Sequence, residues 1–315
     1  MGLLRLEPPK ALQFLRKNLK QKGNVLGLKR WEWAKGLGLP KRGDELLFAG
    51  CGYQYLEALG RFLRFAHQVE SLGMDWEKTW GLWGKTVGLL EFFAWGRRNP
   101  LRDAVMVLRQ EGVEVAYLYE DEPCCGGPLY FSGFWADFEK RTVSVSGPLL
   151  EAGTRELLVM VPSCAYVLKE VLRIPCQVLT FPEFFLKHRK RKRRFLKPIK
   201  VVYHDPCMLS RWLGVVEEPR EVIKGVEGVE LLEAERSKEW SECCGGGGGF
   251  ELVFPFVSKE LAKRRALELV KTGAEVVVTC CPGCLLQLET GLQALGSRVK
   301  VLDLAEFLVR SEPCA

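Results

Sequence analysis

The sequence predicts two pseudo-repeated α/β domains with cysteine motifs at strand carboxyl ends. Three observations predict this: short apolar runs alternate with helical patterns, the alternation occurs twice, and each cysteine motif directly follows such a run. In α/β folds the loops at strand carboxyl ends converge, and ligand sites form there.

Residues 1–44 read as a basic N-terminal extension, in which Leu12, Leu15 and Leu19 form one apolar stripe after Pro8-Pro9. That spacing predicts an amphipathic helix packed on the body or on a partner. The first domain spans 45–187. Its strands are expected over 45–49, 113–118 and 156–161, leading to Gly50-Cys51, Cys124-Cys125-Gly126 and Pro162-Ser163-Cys164. An insertion at about 67–100 carries Trp76, Trp80, Trp83 and Trp95, which at helical spacing read as core or as a partner-binding helix pair. A basic linker is expected over 188–198.

The second domain, 199–315, repeats the grammar. A strand over 200–204 ends at Asp205-Pro206-Cys207, and another over 229–232 leads towards Cys243-Cys244-Gly245. A helix over 256–271 and a strand over 275–279 precede Cys281-Pro282-Gly283-Cys284, and a strand over 299–302 closes the unit. The segment from Gln177 to Phe184 echoes that from Lys300 to Phe307.

Composition bounds the function. With 12 cysteines in 315 residues, 47% hydrophobic residues and mean hydropathy near zero, the chain is neither disordered nor fibrous. The start lacks the apolar stretch of a signal peptide, and the most apolar window, 87–95, falls far short of the ~20 residues that span a bilayer. The expected location is cytoplasmic, with membrane contact peripheral if any. Ordinary thiols stay reduced there, so twelve cysteines read as metal ligands or redox groups rather than bridges.

The net charge of +7 is local. Nine basic residues lie between Lys187 and Lys200, and the remaining 37 are fewer than the 39 acidic ones. No aromatic platform accompanies the run, so no nucleic acid is expected. The readings are a solvated linker or a docking strip for an acidic partner.

The second half holds Cys207, 35 residues, Cys243-Cys244, 36 residues, then Cys281-x-x-Cys284. Five thiolates exceed the four that one tetrahedral zinc takes, and suit a polynuclear iron–sulfur cluster. The glycines from Gly245 to Gly249 let backbone N–H groups approach sulfur. They lack the Lys-Ser/Thr ending of a phosphate loop, so flavin or nicotinamide chemistry belongs to another chain. His204 reads either as a core histidine or as a proton donor beside the cluster, which makes it the candidate catalytic residue. Cys280 reads as a buried strand residue or a substitute ligand, and Cys176 and Cys314 as free thiols.

This arrangement closely resembles the cysteine-rich, or CCG, domain over about residues 45–310, and His204-Asp205-Pro206-Cys207 belongs to the match. The family includes the disulfide-cleaving subunit of heterodisulfide reductase, iron–sulfur subunits of lactate and glycolate oxidation systems, and one subunit of some succinate–quinone oxidoreductases. The resemblance implies a non-cubane [4Fe-4S] cluster on Cys207, Cys243, Cys244, Cys281 and Cys284, which would reduce a disulfide or relay electrons within an oxidoreductase complex. In the first half Cys51, Cys124, Cys125 and Cys164 fill four of the five positions, and Val161 stands in the fifth. Four thiolates suffice for a second [4Fe-4S] cluster or zinc, and an empty site is the third reading. Met208 is a further departure, since relatives often place a histidine there. The chain lacks the Cys-x-x-Cys-x-x-Cys run of a ferredoxin module, which implies a separate ferredoxin-like subunit and a flavin-containing dehydrogenase subunit as partners. The rival from another class is a zinc-stabilised assembly scaffold without catalytic activity.

Overall fold

The computed structural model describes residues 7–72 and 98–314. The four tryptophans of the expected insertion lie outside these residues.

Each half builds a sheet on four parallel strands, to which the second half adds one short antiparallel strand. The first contains β1 (Glu45–Phe48), β2 (Ala116–Tyr117), β3 (Glu156–Val159) and β4 (Gln177–Thr180), in the spatial order β2-β1-β3-β4. The second contains β5 (Arg193–Tyr203), β6 (Val226–Leu232), β7 (Val276–Thr279) and β8 (Lys300–Asp303), in the order β6-β5-β7-β8. The two orders are the same permutation, so the repeat read from the sequence is a repeat of topology. Strands such as Leu46-Leu47-Phe48 and Val276-Val277-Val278 are apolar without alternation because helices cover both faces. Burying each leucine of this kind contributes ~1.5–3 kcal/mol before the entropy of ordering is charged against it.

The order also locates the sites. From β1 the chain moves to one side to form β2, then returns to the other side of β1 for β3 and β4. The crevice at such a switch point lies beyond the carboxyl ends of the two central strands. Cys51 follows β1 and Cys164 follows β3; Cys207 follows β5 and Cys284 follows β7.

The halves are not separate bodies. One apolar core runs through both, including Leu108, Phe185, Val222 and Phe307. The helix Phe181–His188 packs on Glu217–Lys224, and Leu304–Arg310 packs on Pro100–Gln110. Polar contacts join the halves too: Arg98 Nε donates to Glu306 Oε2 at 2.6 Å, and the Tyr53 hydroxyl hydrogen-bonds Asp303.

The expected N-terminal helix is Lys10–Lys22, with Leu19 fully buried and the left-handed Gly23 ending it. The basic run departs from expectation. Arg193 to Pro198, read as linker, are residues of β5, and Arg193 and Arg194 pair with β9 (Glu312–Pro313) as well as with β6. Arg193 is 1% exposed; its Nε donates to Ser311 Oγ at 2.9 Å and its Nη2 to Gln110 Oε1 at 2.9 Å and to the Leu308 and Ser311 carbonyls. The buried Glu111 lies beside it, 3.6 Å from Nη1, and accepts from the backbone N–H of Lys190 and Arg191. That part of the run is therefore structural, while Arg189, Lys190, Arg191, Lys192 and Arg194 remain exposed.

Candidate metal centres

The second-half site is assembled from three chain segments that rigid contacts hold. Cys207 follows β5 through His204-Asp205-Pro206 and opens the π-helix Met208–Trp212. Asp205 fixes that loop. Arg220 grips it with two parallel bonds of 2.7 and 2.9 Å, both side chains 1% exposed, and the backbone N–H of Lys238 donates to it at 2.8 Å. Such fork-to-fork pairing sets orientation as well as energy.

Cys243-Cys244 enters before Gly245, whose φ is +88° and where a Cβ would lie 2.4 Å from the Ser258 carbonyl oxygen. Only glycine fits that approach. Its N–H donates to Cys243 Sγ at 3.4 Å. Cys281 caps the helix Pro282–Ala294, so its sulfur sits at a helix N-terminus. Bonding to Cys284 and to the N–H groups of Cys284 and Gly283 holds the Cys281 thiol below its ordinary range.

The five sulfurs form one connected set. Cys244 and Cys284 are 3.2 Å apart, and Cys207 contacts Cys243, Cys243 contacts Cys244, and Cys284 contacts Cys281. Contact with Cys207 and Cys244 pushes Cys243 down, and the pairing and burial of the others push Cys207, Cys244 and Cys284 up. Five thiolates this close repel one another, and a bound cation removes that cost. The donor set fits a soft metal or an iron–sulfur cluster. Cys243 is exposed and Cys207 and Cys281 are half-buried, so this site opens to the surface.

In the first half Cys51 lies in the helix Gly50–Gln54, Cys124-Cys125 precede the left-handed Gly126, and Cys164 lies in Pro162–Tyr166. Cys125 and Cys164 sulfurs are 3.1 Å apart, Cys51 contacts Cys124, and Cys124 contacts Cys125. Contact with Cys125 and burial raise the Cys124 thiol to about 12. Val161 caps its helix as Cys281 caps the other, and its Cγ2 presses on Gly50, so a methyl group fills the fifth position. All four cysteines are buried. Four thiolates fit zinc or a cubane cluster.

Sequence reasoning missed Arg30 and Glu122. Arg30, from the extension, donates to Cys51 Sγ at 3.5 Å and hydrogen-bonds the Glu122 carbonyl. The Glu122 carboxylate accepts from the Ala49 N–H at 2.7 Å and from Gln54 at 2.5 Å, and burial raises it to about 7. Arg30 thus places a cation beside Cys51 and Cys124. No local pattern signals it, because its partners lie 21 and 92 residues away. Of the other candidates, Cys280 is buried beside Tyr203, and Cys176 and Cys314 are half-buried outside both sets.

His204 is 1% exposed, and a ring nitrogen lies within 4.8 Å of the Cys244 and Cys284 sulfurs. Its Nδ1 accepts from Arg265 Nε at 3.1 Å. Burial, then the Arg265 charge, hold its pKa well below the ordinary value.

The geometry agrees with the comparisons. The family model described as "Cysteine-rich domain" matches residues 91–169 and 201–289, covering both cysteine sets except Cys51. The chain is 31% identical over 217 residues to one subunit of the dihydromethanophenazine:CoB–CoM heterodisulfide reductase of Methanosarcina barkeri, covering 65% of this chain and 53% of that one. It is 28% identical to lactate utilization protein A of Halalkalibacterium halodurans, covering 67% and 90%. It is 30% identical to EtfAB:quinone oxidoreductase of Syntrophomonas wolfei, covering 65% and 30%. The chain thus spans about half the length of the heterodisulfide reductase relatives it matches. No helix of the described residues is long and apolar enough to cross a membrane. With two copies of the CCG motif on two sheets of one topology, the chain belongs to the cysteine-rich domain family.

Proposed function

We propose that the chain is the iron–sulfur subunit of a heterodisulfide reductase-like oxidoreductase complex. Cys207, Cys243, Cys244, Cys281 and Cys284 would hold a non-cubane [4Fe-4S] cluster, and Cys51, Cys124, Cys125 and Cys164 a second cluster or zinc. The observation that carries the reading is the convergence of five sulfurs on a site open at Cys243. When bound, the cluster would supply one-electron steps and an iron that takes up sulfur from a disulfide. The chain's own residues do the rest. Gly245 brings an N–H to sulfur, Asp205 and Arg220 fix the loop that carries Cys207, and the exposed Cys243 marks the face that substrate or partner meets.

The near full-length match to a lactate utilization protein favours a second reading, in which the same site relays electrons from a hydroxy-acid dehydrogenase. In either reading a ferredoxin-like subunit and a flavin subunit are partners, and the complex is cytoplasmic. Anaerobic purification tests both: the protein should be brown, with iron and sulfide in equal amounts and a low-temperature paramagnetic signal. A colourless protein holding zinc alone would leave the assembly scaffold as the reading.

A further inference from the structure

Two buried side chains at the second-half site keep polar groups unused. His204 Nε2 and both amide atoms of Gln287 have no hydrogen-bond partner among the described residues, although both residues are 1% exposed. A buried polar group left unpaired costs about 1–3 kcal/mol, so its persistence calls for a partner.

The chemistry of His204 follows from its neighbour. A guanidinium has five donors and no acceptor, so Arg265 must donate the hydrogen bond to Nδ1 and cannot accept one. Arg265 cannot turn away: it is fully buried, and its Nη1 also donates to Glu268 at 2.7 Å and to the Arg236 carbonyl at 2.9 Å. Nδ1 therefore presents its lone pair, and the proton of the neutral ring sits on Nε2. In that tautomer the ring cannot ligate a metal through Nε2, nor does it hold a spare proton to give away. It offers one fixed N–H.

Gln287 stands beside the same site on another segment. It lies three residues after Cys284 in the helix Pro282–Ala294, so the two share a face. Its side chain lies against Gly246, where a Cβ would come within 2.8 Å of Cγ. The glycine run that carries Cys243 and Cys244 is thus open at the place this amide occupies. The matching positions of the first half are apolar: Phe48 stands three residues before Cys51, Val167 stands three after Cys164, and both are buried.

From this arrangement we infer that His204 and Gln287 are fixed hydrogen-bond donors to the sulfurs of the second-half centre, with Arg265 locking the His204 tautomer. This rests on the cluster proposed above. N–H donation to cluster sulfur stabilises the more negative, reduced state and raises the potential. His204 is then a positioning and tuning residue, which differs from both readings open in the sequence, a core histidine and a proton donor.

Nitrogen-15 spectra of the full chain, labelled at its three histidines, read the tautomer without any cluster, with His204→Phe assigning the signals. The expected result is an unprotonated Nδ1 and a protonated Nε2 at His204; a protonated Nδ1 or a metal-shifted Nε2 overturns the inference. Redox titration of reconstituted protein is the second arm. His204→Phe and Gln287→Val install the residues that the first half carries, and each should weaken one-electron uptake about tenfold, or ~59 mV, with iron and sulfide content retained. Equal potentials at full iron content overturn the donor role. Should His204→Phe fail to take up iron, Gln287→Val decides alone. Wild-type protein that takes up no iron fails the proposed function, and the tautomer then decides the inference by itself.

Discussion

Removing the grip on Asp205 is the perturbation whose size the structure best defines. In Arg220→Met the aliphatic body is kept, but Asp205, 1% exposed, loses both bonds of 2.7 and 2.9 Å and, among the described residues, keeps the Lys238 N–H. Leaving one partner of a buried pair uncompensated costs about 3–5 kcal/mol. The other partner, Glu233, is 39% exposed at its side chain and is re-solvated at little cost. With an unfolding entropy of about 2.1 cal/mol/K per residue, a 315-residue chain should melt about 5–8 °C lower. Chemical denaturation under anaerobic, reducing conditions at one state of metal loading reads the loss. The decisive comparison is a cycle with Asp205→Asn, which removes the charge that Arg220 neutralises. The double variant should recover about 2 kcal/mol relative to the sum of the two single losses. Losses that add within about 0.5 kcal/mol would refute the argument that an unpaired buried charge is the cost. Because Asp205 stands two residues before Cys207, Arg220→Met should also lower iron retention at the second-half site before the chain unfolds.

Other outcomes follow from the same geometry. Cys244→Ser should lose most of the second-half paramagnetic signal and its iron, since Cys244 touches both Cys243 and Cys284; full iron with an unchanged spectrum would remove the central reading. Cys51→Ser should lose any first-half metal and spare the second-half signal, and loss of both from a folded protein would show that the sites are not separate. Burial and the nearby Glu306 raise the Asp103 carboxyl from 3.8 to about 6, so the folded chain binds this proton more tightly than the unfolded one. Stability therefore falls as pH rises from about 4 to 6, and Asp103→Asn should flatten that fall in melting temperatures taken across the window. Neutralising the exposed Arg189, Lys190, Arg191, Lys192 and Arg194, with Arg193 kept, should slow association with an acidic redox partner and weaken its salt dependence. Iron content should stay the same, and an unchanged rate would make the run a solvated surface only.

The strands were legible because those buried on both faces are written as unbroken apolar runs, as in Leu46-Leu47-Phe48 and Val276-Val277-Val278. The cysteine sets were legible because soft-metal chemistry demands sulfur, and sulfur is rare enough for its spacing to carry information. What stayed hidden depends on distant partners. Arg193 looks like one charge among nine, and only Gln110, Leu308 and Ser311, 83 to 118 residues away, make it a buried strut. Arg30 looks like part of a basic extension until the fold sets it beside Cys51. The tautomer of His204 depends on Arg265, 61 residues on, and the strand expected over 113–118 shrinks to Ala116–Tyr117 because only two residues pair with β1. Short-range pattern reveals elements, whereas a charge's role is decided by what the fold brings against it.

The unequal enclosure of the two sulfur sets bears on how the protein matures. The first-half cysteines are 2–9% exposed and Arg30, which arrives from the extension, lies against Cys51, whereas Cys243 faces solvent. A carrier can hand iron to Cys243 after the chain has folded. Any metal bound by Cys51, Cys124, Cys125 and Cys164 would have to arrive before closure, or wait for a local opening that lifts the Arg30 segment away. Biogenesis would then have a sequence in time, the inner centre filled during folding and the outer one filled last. Metal added to finished protein would then reach the outer sulfurs readily and the inner ones slowly, at the pace of local opening.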